Sequence, residues 1–199
     1  MKDEGYIKFH CTWLKEGLPA DISIKEINVC RDKLYDSGLI GAYADGTGYG
    51  NISVRLNGNM FLITGTTTGN IQHLTDKHYT TVTGYNIMQN NLVCEGPIKA
   101  SSESLTHAII YEAMPSTNAV IHIHNKALWK NLIGVVPTTS AEVRYGTAEM
   151  AFEMNRLIAS TNLIKERILV MAGHEDGLIV IGKDLNEALN KVQDYYAAV

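Results

Sequence analysis

Two histidines occupy alternate positions of an apolar stretch, Val120-Ile121-His122-Ile123-His124-Asn125. Read as a β-strand, positions i and i+2 share a face and lie roughly 6.5–7 Å apart along it. Two imidazoles so placed can converge on one ion held about 2.0–2.1 Å from each nitrogen, the distance zinc prefers. They can equally be polar side chains facing solvent or bonding to neighbours, while Ile121 and Ile123 point into the core. A third histidine lies in Ala172-Gly173-His174-Glu175-Asp176-Gly177, at the tip between two apolar strands. Alone it fits a solvated turn. Beside the HxH pair, His174 completes a three-histidine set with one coordination position open, the arrangement of catalytic rather than structural zinc.

An acid stands upstream in Ala100-Ser101-Ser102-Glu103. One reading is purely local: a serine caps a helix running to about Met114, and glutamate favours its positive end. The same physics serves chemistry, because free amides and hydroxyls at a helix start form an anion site and a carboxylate beside a metal can move a proton. His107, four residues after Glu103 on the same helix face, reads as a supporting hydrogen-bond partner rather than a ligand. His10, His73 and His78 have no partner by spacing and read as surface residues. Tyr195 and Tyr196 read as core packing, and Trp129 as packing beneath the strand that precedes it.

Strands and helices must hold these residues. Apolar positions Ile24, Ile27, Cys30 and Leu34 have helical spacing, with Gly38 as the stop. After Gly-rich GAYADGTGYG, the Asn51–Arg55 and Met60–Thr64 strands form a hairpin through Asn57-Gly58. The loop GTTTGN follows, and a short helix is predicted near Thr75. A helix from Thr147 carries Met150, Met154, Leu157 and Ile158. Strand Ile168–Met171 turns through GHEDG into Leu178–Ile181. Asp184 and Glu187 form a capping-box pattern before a last helix with the stripe Leu185, Leu189, Val192 and Tyr196. The mixture points to an α/β fold, a mixed sheet with helices on both faces.

The bulk composition narrows the function classes. The 199 residues are 45% hydrophobic and 19% charged, which suits one globular domain over 1–199 with a sizeable core. The net charge of −4 and the lack of a Lys/Arg cluster argue against nucleic acid. An anionic ligand therefore needs a local device such as a metal or a helix N-terminus. Cys11, Cys30 and Cys94 are odd in number, distant in sequence and without a CxxC, which fits reduced thiols. The start MKDEGYIKFHC has no apolar leader core, and no run reaches the roughly 20 apolar residues of a membrane span. A cytoplasmic protein without membrane partners is the expectation.

GNIS (Gly50–Ser53), FLIT followed by Thr68-Gly69, SSE (Ser101–Glu103), HIH (His122–His124) and GHEDGLIVIG occur together and in order. In this the chain resembles the class II aldolase/adducin family, from about Asp21 to the C-terminus. The resemblance implies a three-layer α/β/α sandwich around a mixed, mostly antiparallel sheet. It implies a divalent ion, usually zinc, on His122, His124 and His174, and a substrate phosphate held by Asn51, Thr68, Gly69, Ser101 and Ser102. Glu103 would be the catalytic proton carrier, with the ion stabilising an enediolate next to a carbonyl. A zinc-dependent lyase or epimerase of a small phosphorylated ketose or hydroxy-carbonyl compound follows, in a homo-oligomer, typically a cyclic tetramer with sites at subunit contacts. The alternative is a non-catalytic oligomerisation module like the adducin head; dehydration or decarboxylation is a third possibility.

Three departures from the family pattern stand out. Glu175 and Asp176 intervene between His174 and Gly177, so either acid is also a candidate for the ion. GTTTGN is one residue longer than its counterpart. Only residues 125–144 separate His124 from Tyr145, too few for the segment that carries the aldolases' proton-donating tyrosine; Tyr145 reads at least as well as an aromatic packed near a helix start.

Overall fold

The computed structural model describes residues 6–197; the first five residues, part of the segment read above for a leader, and the last two lie outside the described residues. Along the chain run β1 (His10–Lys15), α1 (Lys25–Asp36), β2 (Gly41–Ala42), β3 (Gly48–Tyr49), β4 (Asn51–Arg55), β5 (Phe61–Thr64), a 3-10 turn (Asp76–His78), β6 (Tyr79–Asn86) and β7 (Asn91–Gly96). Then follow α2 (Ser104–Ala113), β8 (Ala119–His124), α3 (Lys126–Leu132), α4 (Ala148–Ser160), α5 (Leu163–Glu166), β9 (Ile168–Val170), β10 (Gly177–Gly182) and α6 (Leu185–Ala197). Eight strands form one sheet in the order β1-β7-β6-β5-β4-β8-β10-β9, while β2 and β3 pair separately. β1 runs parallel to β7, and every other neighbour in the large sheet is antiparallel. The mixed, mostly antiparallel sheet is therefore as predicted.

Alternation along the strands divides the core into two layers. On one face Val120, Ile179 and Ile181 meet Leu105, Ala108 and Ile109 of α2 and Met150, Met154 and Leu157 of α4. On the other, Ile121, Ile123, Leu178 and Val180 meet Ile27, Cys30 and Leu34 of α1 and Ala188, Leu189 and Val192 of α6. The sheet is covered on both sides, which makes β8 and β10 continuously buried rather than half-exposed.

The helix boundaries follow local chemistry. Thr147 accepts the Met150 amide at 3.3 Å to open α4. Asp184 accepts the Glu187 amide at 2.8 Å ahead of α6, while Glu187 reaches back to the Lys183 amide. Gly38, at φ +68°, ends the turn after α1. The guanidinium of Arg55 donates to the carbonyls of Tyr111 and Met114 at 2.6 and 3.2 Å, satisfying the end of α2 with a cation where the helix dipole favours one.

Several readings need correction. The helix predicted at Thr75 is a single 3-10 turn, closed by a reciprocal Thr75–His78 pair, and a strand follows at once. His78 thus has a partner, as does His73, 3.2 Å from Asp32. α2 starts at Ser104 with no side-chain cap, so neither Ser101 nor Ser102 caps it. The stripe of α6 turns Tyr195 toward the core and leaves Tyr196 44% exposed. Cys11 and Cys94, distant in sequence, have sulfurs 3.6 Å apart because β1 lies alongside β7; both remain thiols.

Arg31 is buried inside α1 and ties down the GTTTGN loop, donating to the carbonyls of Gln72 at 2.5 Å and of Thr68 and Gly69 at 3.2 Å each. Replacing it with methionine would strand two buried acceptors and one part-buried one, and is expected to cost about 3 kcal/mol of stability, read by urea unfolding. An unchanged midpoint would show that the loop holds itself.

Candidate metal centre

β8 is the central element of the site. It lies between β4 and β10, with Asn51 and Ile179 each opposite His122, and Gly177 opposite His124. Because strand side chains alternate, His122 and His124 project toward α2 on the same face as Asn51 and Ser53. The β9–β10 turn brings His174 over the same spot. The three rings offer one nitrogen each, all within 4.8 Å of one another, and all three residues are buried. Gly177 makes room: a Cβ there would stand 3.1 Å from both His122 Cε1 and His174 Cγ. The sequence-predicted triad is thus brought together. The neighbouring acids are not part of it: Glu175 is exposed and 3.8 Å from Lys126, and Asp176 turns the chain at φ +66°.

Glu103 faces the triad. Its carboxylate lies 2.9 Å from His122 Nε2 and 3.2 Å from His174 Nδ1, and accepts the Asn51 amide at 2.9 Å. Burial pushes the carboxyl pKa up, but the His122 charge and hydrogen bonds from His122 and His174 hold it well below the usual range.

Proton positions in the triad show what it can hold. His122 Nδ1 lies 3.0 Å from the Leu178 carbonyl, which only accepts, so Nδ1 carries the hydrogen and a neutral ring leaves its lone pair on Nε2. That Nε2 faces both His124 Nε2 and the Glu103 carboxylate at 2.9 Å. Acceptors aimed at one another repel unless a cation, a proton or a divalent ion, lies among them. His124 is oriented from behind by the Tyr43 hydroxyl, 2.7 Å from its Nδ1. Nitrogen-rich and nearly closed to solvent, this donor set fits zinc or a similar divalent ion, with outer hydrogen bonds that set tautomer and aim.

Asn51, Thr68, Gly69, Ser101 and Ser102 all line one small cleft, with Gly48, Gly50 and Gly65–Thr67. The Thr68 hydroxyl is committed to the Gly65 carbonyl at 2.8 Å, so it shapes the loop. Gly69 is required here, since a Cβ would lie 2.5 Å from the Gly41 carbonyl oxygen. Among the described residues no lysine or arginine side chain lines the cleft, so these would meet an anion with amides and hydroxyls.

Beneath the centre, His107 Nδ1 pairs with Ser53 Oγ at 2.7 Å, which in turn pairs with the Tyr111 hydroxyl at 2.8 Å. Full burial lowers the His107 pKa to about 3, against the pull of Glu103. His107 is therefore neutral and structural, and its ring signals should not titrate in NMR between pH 5 and 8. Its unfolded form binds a proton below about 6.5, so it contributes a loss of stability as pH falls from there toward 3. Sequence reasoning missed Tyr43, Arg31 and the contact of Tyr145, whose ring stacks on His174 with centroids 4.4 Å apart. The two tyrosines of GAYADGTGYG were a usable signal; their target, 81 residues away for Tyr43, was not.

An α/β sandwich with three convergent histidines and an opposed carboxylate defines a protein built around a candidate divalent-ion centre. The chain belongs to the family of the class II aldolase and adducin N-terminal domain, whose model matches residues 29–197. Its fold is similar to L-fuculose-1-phosphate aldolase from Thermus thermophilus, 24% identical, covering 85% of this chain and 87% of that one at a TM-score of 0.60. A sugar-phosphate aldolase from Thermotoga maritima is 19% identical, with coverages of 88% and 90% and a TM-score of 0.65. The N-terminal class II aldolase domain of a conserved Thermoplasma acidophilum protein is 15% identical, with coverages of 92% and 96% and a TM-score of 0.59. Among the described residues no helix is long and apolar enough to cross a membrane.

Proposed function

We propose that this chain is a divalent-metal-dependent lyase or epimerase acting on a small phosphorylated ketose or related hydroxy-carbonyl compound. One observation carries the reading: three buried imidazoles and Glu103 converge beside a cleft of glycine amides, threonines and serines. Two of the similar structures are named as aldolases of sugar phosphates, which supports the substrate class. His122, His124 and His174 would hold the ion, zinc being the first choice for such donors. A bound ion supplies Lewis acidity beside the substrate carbonyl. Asn51 orients Glu103 through its amide, and Glu103, ionised and aimed at the centre, takes or returns the proton at the carbon next to that carbonyl. The cleft of Asn51, Thr68, Gly69, Ser101 and Ser102 takes the phosphate.

Retention of all three histidines and of Glu103 favours an enzyme over an adducin-head-like oligomerisation module, which needs none of them. The reading extends to a cytoplasmic cyclic tetramer, for which light scattering is the measure. The test of function is twofold. Untagged protein purified without chelator should carry close to one divalent ion per chain, or gain it on adding zinc. The zinc-loaded protein, screened against phosphorylated ketoses, should release an aldehyde or epimerise at least one of them. Protein that takes up no ion would overturn the proposal.

A further inference from the structure

We propose that Lys8 and Tyr145 are positioning residues for His174, forming a cation–ring–imidazole stack that fixes the third ligand from behind. The proposal rests on the reading of His174 as an ion ligand, and it adds a residue from outside the range matched by the family model, which begins at residue 29.

The geometry is a three-membered column. The Tyr145 and His174 rings are stacked at a centroid separation of 4.4 Å and an interplanar angle of 26°. The Lys8 ammonium stands over the same phenol ring, 3.6 Å from its centroid. Two groups this close to one ring centre would overlap if they shared a face, so they flank it: Lys8 on one side, His174 on the other. Tyr145 is buried, and the Lys8 Nζ atom is itself shielded from solvent.

Each end of the column is anchored. The Lys8 carbonyl accepts the Asn90 side-chain amide at 2.9 Å, and the His10 amide donates to the Asn90 carbonyl at 2.9 Å. From there β1 pairs with β7 from His10↔Asn91 to Lys15↔Gly96. Gly146, at φ +68°, lets the chain behind Tyr145 close on the site: a Cβ there would meet the Ser102 carbonyl oxygen at 2.7 Å. Lys8 and the Ser101–Glu103 segment therefore both pack against residues 145–146.

His174 needs such help more than its partners do. His122 and His124 project from the middle of a sheet, where backbone register sets their direction. His174 sits in a turn whose neighbours include Gly173 and Gly177, so its ring angle is set by the Glu103 contact on one edge and by packing on its faces. A phenol on its face restricts rotation, and a desolvated cation on the far face holds the phenol in place. Outer residues that aim a ligand typically change ion affinity by about 10–100-fold. The same segment lets formation of β1 influence the centre.

The test measures zinc and cobalt affinity by competition with a chromophoric chelator, alongside the visible spectrum of the cobalt form and the melting temperature. Lys8→Met and Tyr145→Leu are each expected to weaken binding about tenfold and to change the cobalt spectrum. Lys8→Arg keeps a cation over the ring and Tyr145→Phe keeps the stack, so both should stay near wild type. His174→Ala, the reference for a lost ligand, should weaken binding further. Wild-type affinity and spectrum in folded Lys8→Met and Tyr145→Leu, beside loss in His174→Ala, would overturn this proposal while leaving the metal reading intact. A lowered melting temperature with unchanged affinity would overturn it equally. A wild-type protein that binds no ion would remove both. If Tyr145→Leu does not fold, Lys8→Met against Lys8→Arg decides.

Discussion

Replacing His122 with alanine is expected to cost the protein its divalent ion, weakening affinity on the order of a thousandfold or more. The residue is fully buried, its Nε2 is the point where His124 and Glu103 both converge at 2.9 Å, and its Nδ1 is locked on the Leu178 carbonyl. Removing it deletes one of three nitrogen donors and the ring that faces the buried Glu103 carboxylate at 2.9 Å. The wild-type affinity itself should fall in acid, because protons compete with the ion for imidazole nitrogens. Chelator competition across pH measures both effects, with circular dichroism confirming that the variant folds. A folded His122→Ala protein that binds zinc as tightly as wild type would place the ion elsewhere.

The second large effect concerns Glu103→Gln. The change is nearly isosteric and keeps an oxygen to accept from Asn51, but it removes the charge and the proton acceptor. Turnover should fall about 10²–10⁴-fold, the range for a positioned acid–base group, while the histidines retain the ion. Because His122 and His174 hold the carboxyl well below its ordinary pKa, Glu103 is ionised throughout neutral pH and its loss cannot be recovered by raising pH. The sign for stability follows: a depressed carboxylate contributes stability above its unfolded pKa, which is lost as pH falls through the lowered value. Glu103→Gln should therefore show weaker acid destabilisation than wild type. Unchanged turnover with metal bound would remove Glu103 from the chemistry.

Legibility from sequence differed by element. β4, β5, β8 and β10, and the helices α1, α4 and α6, declared themselves through apolar period, caps and turn residues. β6 and β7 did not. Tyr79–Val82 is buried at every position, and so lacks the alternation that marks a half-covered strand. β1 is an edge strand whose partner is some 80 residues away, and its sequence carries no record of that. α2 misled differently: serines that look like caps turn out to line the cleft instead.

What the sequence by itself determined is the chemistry available: two imidazoles on one strand face, a third in a turn, an acid after two serines, and glycines and threonines in loops. These are consequences of local period and residue type, which a linear reading captures. Tertiary structure alone decided the rest. It set His174 against β8, aimed the Glu103 carboxylate at two rings, put Tyr43 behind His124, and stacked Tyr145 between His174 and a lysine from the first strand's approach. Those contacts join residues far apart in the chain, and only the burial of both sheet faces brings them within hydrogen-bonding range.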